Sequence, residues 1–247
     1  MDQYRVFRMP AHRGAARQGF LLLHGIGLSH RSYTQAAKIL AQHGDVIAID
    51  LPGFGGTRRP KRPLSVEDYA DGIARVLDRA HVGPLVVVGH SMGAQFALEL
   101  ALTRPDLVTG VVMIGPVVDP QKRTPWQQAF SLARDAALEP IPTNLMVQFD
   151  YARCGLVWFL SGVRSMLAYP THERILRLEQ PLLVLRGEHD RVADARWTRW
   201  LATRTPDGEA QSTSRHRHNV VHSSPADTAH RIIAFARRVS YRVAGKG

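Results

Sequence analysis

Five short apolar runs, each followed by a glycine-bearing turn, constrain this chain more than any other feature. They are Phe20–His24, Val46–Asp50, Leu85–Gly89, Val111–Gly115 and Leu182–Gly187. Their residues are leucine and β-branched types without polar alternation. As strands they bury both faces, the habit of parallel sheets covered by helices on each side. Helical patterns separate them. Ser65 caps one helix with Asp68 three residues on, and Val66, Tyr69, Ile73, Val76 and Leu77 form its apolar face before Gly83. Met92–Leu102 reads as a second, stopped by Pro105. Pro225 suits the first turn of a third, with Ala229, Ile232, Ile233, Ala236 and Val239 facing inward. Strands alternating with helices predict an α/β fold, an open and mostly parallel sheet with helices on both faces.

Pro116–Gln180 departs from this rhythm. It lacks a clear strand and carries helix-like stretches punctuated by Pro120, Pro125, Pro140, Pro142 and Pro170, one of them Trp126–Glu139. A long excursion between two strands of a sheet is usually a lid or binding element. Residues 116–180 are therefore expected to form an inserted helical cap, with 1–115 and 181–247 forming the core domain. The cap holds Trp126, Phe130, Met146, Phe149, Tyr151, Trp158, Phe159 and Met166. Most of these should pack it onto the sheet. Trp126, Phe130, Tyr151 and Trp158 are the candidates for the substrate pocket wall.

The chemistry is written at Gly89-His90-Ser91-Met92-Gly93, directly after Leu85–Val88 and at the start of a helix. Gly-x-Ser-x-Gly in a strand–turn–helix context places a serine on a sharp, strained turn. The glycines are needed because neighbouring side chains would clash where helix and strand approach. The helix N-terminus behind Ser91 offers free N–H groups to a developing oxyanion. One donor is expected to be the N–H of Met92. The second should come from His24-Gly25-Ile26-Gly27 after the first run, as the N–H of Ile26. His24 is expected to brace that loop rather than act as a base.

With these residues in view, the chain resembles the α/β-hydrolase family. The likeness runs nearly end to end and includes Asp50-Leu51-Pro52-Gly53-Phe54-Gly55-Gly56-Thr57, the turn at Ser91 and Leu185-Arg186-Gly187-Glu188-His189-Asp190. The Gly53–Gly56 cluster lacks the Gly-x-Gly-x-x-Gly spacing of a dinucleotide loop, and in this family it is a structural turn. The resemblance implies a triad in the order Ser, Asp, His. Asp190 lies where the family places its acid, with Glu188, Asp194 and Asp119 as rivals. The family's histidine precedes by seven residues a proline that begins the last helix, and Pro225 selects His218. His216 is the alternative. His222 and His230 fall near or inside the helix, Arg217 replaces a usually small residue, and Ala210–Arg215 is polar for a final strand.

The implied activity is that of a serine hydrolase acting on a small, fairly apolar carboxylic ester. Acyl thioesterase, lactonase and carbon–carbon hydrolase readings share the machinery, and a ligand receptor of the same fold is the non-enzymatic alternative. Ile26-Gly27-Leu28-Ser29 departs from the Ser-Gly-Pro-Gly-like stretch usual in carbon–carbon hydrolases. No cofactor or metal is expected, since the histidines lack ligand spacing on one helix face and Cys154 is the only cysteine.

Composition bears on partners. Lys plus Arg is 32 against 21 Asp plus Glu, a net charge of +11 carried mostly by arginine. Apart from a short basic tail, Arg231–Lys246, the arginines form no stripe, so no nucleic-acid partner is expected. No apolar run approaches the roughly 20 residues that cross a bilayer. The lone cysteine fits a reducing compartment and the polar Met1–Arg17 carries no signal-like run, so a cytoplasmic location is the expectation.

Overall fold

The structure, a computed structural model, describes residues 3–12, 18–122 and 141–244. The predicted runs form strands β2 (Gly19–Leu23), β3 (Val46–Asp50), β4 (Leu85–His90), β5 (Val108–Ile114) and β6 (Leu182–Gly187). Two further strands complete the sheet, β1 (Arg5–Met9) and β7 (Gly208–Thr213). The order is β1-β3-β2-β4-β5-β6-β7. β1 runs antiparallel to β3, and every other pairing is parallel. The helices described are α1 (Thr34–Leu40), α2 (Val66–Ala80), α3 (Met92–Thr103), α4 (Ile141–Cys154), α5 (Leu156–Ala168), α6 (Thr171–Arg174), α7 (Ala195–Thr203), α8 (Val220–Ser223) and α9 (Pro225–Ala244).

The unbroken apolar runs follow from a sheet with a core on each face. Leu21, Leu23, Val87, Val111, Met113 and Val184 join the core under α2, α3 and α7. Their neighbours Phe20, Leu22, Val86, Val88, Val112 and Leu183 point the other way, into the core under α1 and α9. Successive strand residues face opposite sides, so both must be apolar when both sides are covered.

Two strands escape the apolar pattern because they lie at the sheet's edges. β1 is largely exposed, and the polar Gly208–Thr213 forms β7 against β6. The Ser65–Asp68 capping box forms as predicted. The helix it opens ends at Ala80, with His81 at φ 48°, so the stop falls before Gly83. The expected basic tail is mostly helix α9, where Arg231 pairs with Asp227 and Arg238 with Glu209.

Between β5 and β6 the chain leaves the sheet and returns through α4, α5 and α6. The expected helix Trp126–Glu139 lies outside the described residues. The return is strapped to α3. Gln95 Nε2 donates to the carbonyl of Met166 at 3.0 Å and to Thr171 Oγ1 at 3.1 Å. One turn further, the buried Glu99 carboxylate accepts Tyr169 Oη–H at 2.7 Å and Arg174 Nε–H at 3.0 Å. A carboxylate taken out of water is tolerated only with such partners. Replacing Arg174 by Met, which leaves Glu99 with Tyr169 alone, should destabilise the fold by about 3 kcal/mol. Urea unfolding of the variant against the parent chain measures this.

Candidate active site

The turn at Ser91 is made by close approach. A Cβ on Gly89 would sit 2.1 Å from the carbonyl oxygen of Gly93, and one on Gly93 would sit 2.2 Å from that of Leu23. Ser91 itself has φ 56° and ψ −120°, a conformation that costs an L-residue about 1–3 kcal/mol. It is held by Ser91 N–H donating to Ile114 O at 2.8 Å and Ala94 N–H to Ser91 O at 3.0 Å. The hydroxyl is thereby carried off the end of β4, at the N-terminus of α3.

His218 and Asp190 arrive from two loops zipped together beyond β6. Gly187 permits this, since a Cβ there would meet the carbonyl oxygens of Arg217 and His216 at 2.2 and 2.4 Å. His189 N–H donates to His216 O at 2.9 Å across the same gap. His218 Nε2 lies 3.1 Å from Ser91 Oγ, and His218 Nδ1 lies 3.1 Å from Asp190 Oδ2. The other Asp190 oxygen accepts the N–H groups of Val192 and Ala193 at 2.8 and 2.9 Å. These three contacts keep the buried carboxylate oriented. Ser91, His218 and Asp190 are all buried, at 4%, 3% and 2% exposure, so water competes little for the chain of bonds.

The rival residues are engaged elsewhere. Glu188 accepts the N–H of Arg215, Asp194 caps α7 through Trp197 N–H, and Asp119 pairs with Arg196. His216 Nδ1 meets Ser223 Oγ at 3.0 Å, and His230 is an exposed residue of α9.

The first loop sits against the serine, where a Cβ on Gly25 would lie 3.0 Å from that of Ser91. His24 braces it as expected. Its Nδ1–H donates to Gly25 O at 2.8 Å while Nε2 accepts Leu51 N–H at 3.1 Å. Burial holds its pKa below the ordinary value, consistent with that neutral tautomer. Leu28 N–H donates to Gly25 O at 3.2 Å, closing a tight turn around Ile26 and Gly27. The N–H of Met92 lies in the first turn of α3, where backbone donors have no intrahelical acceptor.

Of the expected pocket residues, Trp126 and Phe130 lie outside the described residues. Tyr151 and Phe159 pack on Gly27, and Trp158 lies against Gly53, whose Cβ would meet the indole nitrogen at 1.9 Å. The Gly53–Gly56 cluster is a turn, as expected, with Gly53 N–H donating to Arg58 O at 3.1 Å. Phe149 faces outward at 51% exposure, under the guanidinium groups of Arg31 and Arg153, so it lines no interior wall. Among the described residues, no three His, Cys, Asp or Glu side chains converge to hold a metal ion, and no helix is long and apolar enough to cross a membrane.

A match to the alpha/beta hydrolase fold spans residues 20–153. The chain belongs to that family. Among curated relatives, (E)-2-((N-methylformamido)methylene)succinate hydrolase of Acinetobacter baylyi is 26% identical, over 83% of this chain and 85% of its own. Pimeloyl-(acyl-carrier protein) methyl ester esterase of Nitrosospira multiformis is 25% identical, over 88% of this chain and 94% of its own. A carboxylesterase structure from the thaumarchaeon Nitrososphaera gargenis superimposes with a TM-score of 0.80 at 16% identity, covering 97% of this chain and 96% of that one.

Three supports escaped the sequence reading. Buried Arg186 donates to the carbonyls of Glu188, Asp190 and Ala193 at 2.7, 3.1 and 2.9 Å, bracing the Asp190 loop. Ser29 bonds to Asp150 of α4 at 2.6 Å. His90, beside the serine, has Nε2 3.0 Å from the carbonyl of His218. Burial, and then His218 beside it, push the His90 pKa down to about 3. It is neutral in the fold, so Nε2–H is the donor. An unfolded histidine takes up a proton below about pH 6.5 that this one refuses. Stability from His90 is therefore full above pH 6.5 and falls as pH drops toward 3. Urea unfolding between pH 6 and pH 4 should decline less steeply in His90→Gln, by up to about 1.4 kcal/mol per pH unit.

Proposed function

We propose that this protein is a serine hydrolase that cleaves a small, fairly apolar carboxylic ester through an acyl-enzyme. The observation that carries the reading is the unbroken chain from Ser91 Oγ through His218 to Asp190. Nδ1–H of His218 donates to Asp190, which leaves Nε2 as the acceptor for the serine proton. Oγ attacks the acyl carbon as His218 takes that proton. The oxyanion is received by the N–H groups of Ile26 and Met92. Collapse expels the alcohol with the proton from His218. Water, deprotonated by the same imidazole, then attacks the acyl-enzyme, and the acid leaves with Ser91 restored. Asp190 stays ionised and stabilises the imidazolium. Every step draws on side chains and backbone of this chain, so the reading calls for no metal or organic cofactor.

Residues 116–180 act in this reading as a cap over the core formed by 1–115 and 181–247. Tyr151 and Trp158 contribute to its inner wall, supported by the packing of Tyr151 on Gly27, in the loop beside Ser91, and of Trp158 on Gly53. A small apolar acyl group suits such a wall. A second reading, an acyl ester or thioester borne on an acidic carrier, is favoured by the net charge of +11 and by the curated relative that acts on a carrier-borne methyl ester. The partner in either case is an acyl substrate rather than nucleic acid or membrane.

Ser91→Ala and His218→Ala should each lower kcat by about 10⁶, and Asp190→Asn by about 10⁴. An active-serine phosphonate should leave one adduct, on Ser91, located by peptide mass spectrometry. p-Nitrophenyl esters assayed beside acyl thioesters, lactones and a dienoate decide the bond cleaved, and ester rates far below any of the others would overturn the ester reading. A folded protein that takes no adduct would be a receptor.

A further inference from the structure

The helical pair α4–α5 touches the core on the loop that presents the Ile26 N–H. Asp150, in the last turns of α4, is fully buried. One of its oxygens, Oδ2, accepts the Ser29 hydroxyl at 2.6 Å, a short charge-assisted bond. Among the described residues, its other oxygen is buried with no hydrogen-bond partner. Burying half of a carboxylate unsatisfied costs stability, and an amide or apolar side chain here would cost less. The group is thus poorly explained as a device for holding the fold together.

Its place in the loop suggests a different task. The turn around Ile26 is clamped at its start by His24, whose two ring nitrogens engage Gly25 O and Leu51 N–H. Its far end is Ser29, whose carbonyl accepts both Ser32 N–H at 3.2 Å and Ser32 Oγ–H at 2.9 Å. The first clamp belongs wholly to the core. The second is completed only by Asp150 from the inserted helices. Between the clamps, Gly27 lies under Tyr151 and Phe159, and the Ile26 side chain abuts Gly162 of α5. Donors to an oxyanion act through sub-ångström placement, so whatever fixes the far end of this turn tunes the hole.

We infer that Asp150 is a positioning residue, holding Ser29 so that seating of α4–α5 aligns the Ile26 N–H with the oxyanion. The inference rests on the serine-hydrolase reading and adds to it a residue that never touches the substrate.

The test uses the full chain, a p-nitrophenyl ester and an active-serine phosphonate, with variants Ser29→Ala, Asp150→Ala and Asp150→Asn. Ser29→Ala and Asp150→Ala should lower kcat by about 10- to 100-fold with KM changed less than threefold, and slow phosphonylation of Ser91 in parallel. Asp150→Asn keeps an acceptor for Ser29 Oγ–H and should retain kcat within about threefold, with thermal stability equal to or above the parent. Three results overturn the inference: kcat unchanged in Ser29→Ala, KM rising while kcat holds, or Asp150→Asn as impaired as Asp150→Ala. Should Asp150→Ala fail to fold, Ser29→Ala, which deletes one hydroxyl, decides alone. The parent reading fails separately, by absence of a Ser91 adduct in the unaltered protein, and would take this inference with it.

Discussion

Everything at the site is referred to the approach of α3 onto the ends of β2 and β4. Two positions there, Gly89 and Gly93, have no room for a side chain because backbone oxygens already occupy the space, and Gly25 sits tight against Ser91. That approach forces Ser91 into an unfavourable backbone geometry, which only the surrounding bonds sustain. The same contact brings the helix N-terminus and the Ile26 turn to one point. A looser elbow would relax the serine and draw it away from the helix N-terminus and the Ile26 turn.

The imidazole and the carboxylate are supplied by a different device. They stand 28 residues apart in sequence and meet because two loops beyond β6 are stitched by Gly187 and by the His189–His216 backbone bond. Arg186 adds three carbonyl contacts below Asp190, using a charged side chain to satisfy a loop that folds back on itself. His90 ties the elbow to the His218 carbonyl. The site is therefore a junction of segments that follow different strands, Ser91 after β4, Asp190 after β6 and His218 after β7.

Much of this is legible in the amino-acid sequence. Strands buried on both faces announce themselves as apolar runs, and the Ser65 cap and the Ser91 elbow carry local signatures that physics makes nearly obligatory. The placement of Asp190 and His218 beside Ser91 follows from the family resemblance, since neither residue has a local pattern of its own. The pairs that escaped are long-range and polar. Ser29 and Asp150 lie 121 residues apart, and Glu99 and Arg174 lie 75 apart. A buried aspartate looks the same in sequence as a solvated one. The helix stop at His81 has no sequence signal for a related reason, because a histidine in the left-handed region is uncommon and glycine, two residues on, is the usual terminator. Likewise the arginine excess concealed structural roles, with Arg174, Arg196, Arg231 and Arg238 each bonded to a carboxylate.

The two outer strands of the sheet, β1 and β7, lie outside the pattern of unbroken apolar runs, and the charges they carry have a use. A strand with an open side invites another chain to pair with it. Here one flank bears Arg5 and Arg8, and the other bears Glu209 and Gln211, tied by Arg238 and Arg231 to the neighbouring helix. Arg5 reaches back to Asp50 and the Gly55 carbonyl, and the acid and amide of the opposite flank are likewise held by arginines. Charged side chains tethered along both borders are one of the devices that blunt an open strand edge, while the large exposed apolar side chains lie mostly on helices.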